Sequence, residues 1–171
     1  MKSSLKVFVF SLFLFTYTNT VAQDIEQLVC NEHYAEVDFD SLGLSLSHFD
    51  LKGEVDICHA DSNDSYPYDE LIYIAVYNSF DEAGAQEEYD EERSAYEGVD
   101  GFSDVPDLGD KAFIQLKVQF GKLDVAYIGV VTGIYTVRIE VNGNYANGSN
   151  NRFTPASVLD LARIIVEALE D

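Results

Sequence analysis

KAFIQLKVQFGKLDVAYIGVVTGIYTVRIEV, residues 111–141, is the stretch on which the fold turns. It divides into three strand-length runs. Lys111 to Gln119 places Ala112, Ile114, Leu116 and Val118 on one face, and Leu123 to Val131 is apolar on both faces, as a central strand would be. Ile134 to Val141 directs Tyr135, Val137, Ile139 and Val141 inward and Thr136, Arg138 and Glu140 outward. Phe120-Gly121-Lys122 and Thr132-Gly133 leave room only for tight turns, so the three runs form an antiparallel meander.

Upstream, Leu71 to Asn78 alternates Ile72, Ile74 and Val76 against Tyr73, Ala75 and Tyr77 and reads as a further strand. Between it and the meander, Asp81 to Glu97 is helical in composition and acidic, with a thin stripe of Phe80, Ala83, Tyr89 and Tyr96. Glu54 to Ala60 reads as an earlier strand, Leu42 to Asp50 as a short strand or irregular, and Asp61 to Tyr68 as a polar loop. A first helix over 24–36 carries Ile25, Leu28, Val29 and Cys30. Downstream, Asn142 to Asn151 is a loop. In the last helix Thr154 stands as N-cap and Pro155 at the first position, with Val158, Leu161, Ala162, Ile165 and Leu169 on one face. The expected fold is a single α+β domain. Its twisted antiparallel sheet packs with an N-terminal, a middle and a C-terminal helix.

Residues 1–22 have the make-up of an export leader: Lys2 and Lys6, an apolar run from Val7 to Phe15, then Thr20-Val21-Ala22 before Gln23. The run is too short to span a bilayer, and no cysteine follows it directly. Residues 23–171 are therefore expected as a soluble domain in the periplasm or medium, with no membrane insertion after leader cleavage. The leader holds two of the ten basic residues and none of the 31 acidic ones, so the mature chain is more acidic than the −21 of the whole. Such a field repels nucleic acid and anionic membranes and favours cations, basic proteins or plain solubility in a salty medium.

Cys30 and Cys58 are the only cysteines, and in an oxidising compartment an even pair reads first as a disulfide. The rival is zinc held by Cys30, His33, Cys58 and His59, which the opposite directions of strand neighbours Cys58 and His59 disfavour.

Val105-Pro106-Asp107-Leu108-Gly109-Asp110-Lys111-Ala112-Phe113 opens the meander, and Leu161-Ala162 lies in the last helix. With a cysteine in the first helix and another on an early strand, this pattern resembles small bacterial extracytoplasmic domains of PsbP-like α/β sandwich fold, found in lipoproteins and receptor-kinase sensor domains. The resemblance implies a binding or accessory domain with no catalytic residues to carry over. The chain departs from the pattern in lacking the lipoprotein cysteine and in having His59 where an aromatic often follows the second cysteine.

Three functions are compatible with these residues. The first is recognition of a protein or other cationic partner through an acidic surface bearing Tyr73, Tyr77 and Arg138. The second is a calcium module, with Asp100, Asp104, Asp107 and Asp110 in one Gly-containing loop as oxygen ligands, though without EF-hand spacing. The third is a hydrolase. His33, His48 and His59 sit in no catalytic motif, and with so many acids no carboxylate pair stands out.

Overall fold

A computed structural model describes residues 30–144 and 148–170; the leader and residues 24–29 of the expected first helix lie outside them. Seven strands form one antiparallel sheet: β1 (Phe49–Gly53), β2 (Ile57–Ser62), β3 (Leu71–Asn78), β4 (Phe102–Val105), β5 (Lys111–Gln119), β6 (Lys122–Thr132) and β7 (Tyr135–Asn142). Their spatial order is β1-β2-β3-β7-β6-β5-β4. Two runs of sequential neighbours, β1–β3 and β4–β7, are thus joined by the pairing of β3 with β7, from Leu71 opposite Asn142 to Asn78 opposite Tyr135. Three helices complete the domain: α1 (Cys30–Glu36), α2 (Glu82–Tyr96) and α3 (Val158–Glu170). The α+β reading and the terminal meander stand. Among the described residues no helix is long and apolar enough to cross a membrane.

One sheet face carries most of the core. Ile72, Ile74 and Val76 of β3, Val137, Ile139 and Val141 of β7, and Ala126, Ile128 and Val130 of β6 meet Val158, Leu161, Ala162 and Ile165 of α3 and Tyr34 of α1. Among the described residues the other face is covered in part by α2, which packs on β6 and β7. Beneath it Ala85, Tyr89, Phe113 and Val131 form a second apolar cluster. Gly129 lies under the Phe113 ring, where an added Cβ would come within 2.4 Å of a ring carbon. A side chain there would push the ring out of its packing.

Several boundaries differ from the expected ones, each for a local reason. Residues 39–48 make two 3-10 turns, Phe39–Leu42 and Leu46–His48, before β1 begins. Asp38 Oδ1 accepts from Ser41 N at 3.2 Å, and His48 Nδ1 accepts from Ser45 N at 3.1 Å. Such side-chain bonds offer the backbone an alternative to a strand ladder. β2 starts at Ile57 and not at Glu54, because Glu54 N donates to Ile57 O to close the β1–β2 turn. Asp61 and Ser62 consequently belong to the strand rather than the loop.

α3 begins at Val158, after a turn in which Ser157 N donates to Thr154 O, so Thr154 and Pro155 precede the helix instead of opening it. In β5 both faces are buried from Ala112 to Gln115, and Val118, past a register shift after Lys117, is 44% exposed. On α2 the buried stripe runs through Ala85 and Tyr89 while Ala83 is exposed. Thr136, expected outward, is buried on the face that α2 covers.

Candidate functional site

The half of the second sheet face that α2 leaves open belongs to β1, β2 and β3, and the tyrosines stand there. Directly opposite residues of neighbouring antiparallel strands share a face. Tyr73 therefore lies between Asp61 of β2 and Glu140 of β7, Ala75 between His59 and Arg138, and Tyr77 between Ile57 and Thr136. Ala75, between His59 and Arg138, is fully buried. Tyr73, Tyr77, His59 and Arg138 each remain half-exposed.

These side chains form one continuous polar network. The Tyr73 hydroxyl meets His59 Nδ1 at 2.8 Å. Arg138 Nη1 donates to the Tyr77 hydroxyl at 3.3 Å, and its guanidinium carbon lies 4.5 Å from the centroid of the Tyr77 ring. Arg138 Nε comes within 2.7 Å of Glu92 Oε1, a contact of opposite charges out of line for a hydrogen bond. The Tyr127 hydroxyl donates to the same carboxylate oxygen, and Tyr127 stacks on Tyr96 of α2 at 4.3 Å between centroids. One turn before Glu92, Glu88 Oε2 accepts from Thr136 Oγ1 and Ser79 Oγ, each at 3.1 Å. The network thus crosses the β3–β7 seam and ends in α2.

Its ionisation follows from burial and neighbours. Burial, aided by the Tyr77 hydroxyl and by Asp61, pushes the Tyr73 phenol up to about 12. Burial and the bond to Glu92 push Tyr127 up further. At Arg138 burial opposes the charge, but Glu92, Tyr77 and Tyr127 outweigh it and hold the guanidinium protonated above its usual range.

Tyr73, Tyr77 and Arg138, singled out in the sequence, are therefore brought together. Arg138 does not point freely outward, however; it is engaged by Tyr77 and Glu92. His59, weighed in the sequence only as a zinc or hydrolase histidine, completes the network with Glu92 and Tyr127, which were not among the sequence candidates. A signal for Glu92 exists: Ala85, Tyr89, Glu92 and Tyr96 recur at helical spacing, whereas a stripe drawn through Ala83 passes it by.

The four loop aspartates are not gathered. Asp104 lies in β4 and accepts two hydrogen bonds from Arg93, at 2.9 and 3.0 Å. Asp110 Oδ2 accepts from Gly133 N at 2.8 Å. Asp107 occupies a left-handed turn position at φ 56°, and Asp100 offers its carbonyl to Gln115 Nε2 at 3.0 Å. Among the described residues no group of three or more His, Cys, Asp or Glu side chains is placed to hold a metal.

The disulfide joins Cys30 to Cys58, with Cα atoms 5.2 Å apart, and so ties α1 to β2. It removes both sulfurs from the zinc alternative. His33 is buried in α1, its Nε2 without a partner among the described residues, and burial holds its pKa down to about 4. Compared with known proteins, the chain matches no family model, no curated protein and no solved structure.

Proposed function

We propose that this chain is an exported, non-enzymatic binding domain that receives a basic protein on its tyrosine face. The observation that carries the reading is the unequal cover of the sheet among the described residues: two helices pack on one face, while on the other α2 packs mainly on β6 and β7. On the open part half-exposed Tyr73, Tyr77 and His59 are ringed by Asp50, Asp61 and Glu140. Aromatic side chains held in place on a charged surface are the usual anchors of interfaces, because they bury much area while losing little conformational freedom. The chain's formal charge of −21 favours a basic partner and speeds its approach. Export is supported by the leader-like N-terminus and by the disulfide, which persists in oxidising compartments. The likeness to PsbP-like extracytoplasmic domains points to the same kind of role.

A photo-crosslinking residue placed at Tyr73, in full-length protein exported by its native host, tests the reading. Placed at exposed Arg163 on α3, the same residue serves as the control. Adducts with a basic protein from position 73 alone, fading as salt rises, are expected. Equal adducts from both positions, or none from position 73, would overturn the proposal.

A further inference from the structure

The tyrosine face already holds one guanidinium of its own. Arg138 sits over the ring of Tyr77 at 4.5 Å, with the Glu92 carboxylate 2.7 Å from its Nε. Four residues earlier on β3, Tyr73 offers the same ingredients. Glu140 stands directly across on β7 and Asp61 directly across on β2. Among the described residues no cation lies over the Tyr73 ring. The hydrogen bond recorded for Glu140 comes from Asn142 Nδ2 at 2.8 Å. Asp61 meets Lys52 at 3.3 Å, a pair whose lysine is 69% exposed. Exposed pairs of this kind contribute little and are easily exchanged. The Tyr73 hydroxyl is fixed by His59, so the ring is held before any partner arrives.

We propose that the partner presents an arginine, whose guanidinium seats on Tyr73 between Asp61 and Glu140 and repeats the arrangement of Arg138 on Tyr77. This deepens the binding reading above and rests on it. Arginine is specified over lysine by geometry. A planar, weakly hydrated guanidinium can lie on a ring while its edge still donates to carboxylates on either side. An ammonium is a compact, strongly hydrated charge and cannot satisfy ring and fork together. The alternating strand pattern brings side chains of one face about 7 Å apart, so an extended basic segment could lay successive arginines along β3.

The test uses two labelled peptides, alternating Gly-Arg and alternating Gly-Lys, matched in length and charge. Binding to the oxidised protein is followed by fluorescence anisotropy at low salt. The arginine peptide is expected to bind about fivefold to tenfold tighter. Glu140→Gln should bring the two peptides within about twofold of each other, as should Tyr73→Leu, while Tyr73→Phe keeps most of the preference. If Tyr73→Leu fails to fold, the surface change Glu140→Gln carries the test. Equal affinities on the unaltered protein would overturn the arginine inference and leave a basic partner standing. Binding of neither peptide would overturn both. A preference undiminished in Glu140→Gln and in Tyr73→Leu would place it elsewhere and overturn the inference as well.

Discussion

His33 sits buried in α1, its pKa drawn down to about 4 by burial. The folded ring stays neutral while in the unfolded chain it protonates at the ordinary histidine value of about 6.5. Its contribution is therefore fully present above that value and is lost as pH falls from 6.5 towards 4, by about 2 to 4 kcal/mol in total. Urea unfolding at about pH 7.5 and about pH 4.5 should show that loss, and His33→Phe should remove most of it. An equal fall in the variant would assign the acid sensitivity to carboxylates. Buried Glu70 works in the opposite sense. Burial raises its pKa, so its ionisation costs stability as pH rises, and protonation relieves that cost. At this scale the sequence was partly legible. Strict alternation placed Tyr73 and Tyr77 on one face, but the cover over Arg138 comes from Glu92, 46 positions away in the chain, and no local pattern pairs them.

Among the elements, α1 enters the described residues at Cys30, one of the two disulfide cysteines. Its hold on the domain is the Cys30–Cys58 bond together with Tyr34, buried in the core, whose hydroxyl donates to Cys58 O at 3.1 Å. Replacing both cysteines by serine releases a loop with a sequence separation of 28. It should lower stability by about 3 to 4 kcal/mol through the freed chain entropy. Guanidinium unfolding of the variant, against the oxidised parent, checks this. A loss under about 1 kcal/mol would mean that packing alone seats α1. β3, β5, β6 and β7 were readable because of their long alternating or doubly apolar runs, followed closely in β5, β6 and β7 by Gly121, Gly133 and Gly143. β1 and β4 were not, since FDLKG and FSDV are short edge strands whose apolar content is too small to announce them. They are strands because β2 and β5 offer them a ladder.

For the molecule as a whole, a formal charge of −21 means that folding concentrates like charge. Sodium chloride raised from about 0.02 M to about 0.5 M should screen that repulsion and lift the thermal midpoint by several degrees. The same salt should weaken the partner complex, so fold and binding respond in opposite directions. Calcium and magnesium at matched ionic strength are expected to act alike; a rise peculiar to calcium would restore the Asp100 to Asp110 segment as a metal site. Single-domain α+β character was legible from composition and element order. The strand order was not, because β7 enters between β3 and β6 by pairing residues 57 to 71 positions apart, from Asn78 with Tyr135 to Leu71 with Asn142, which no run of residues encodes. That seam also sets a schedule. A chain made from its N-terminus has both tyrosines early, yet Glu92 comes only with α2, and Arg138 and Glu140 only after most of the meander. A growing chain offers a partner two loose aromatics and no receptor until β7 has been made and paired with β3.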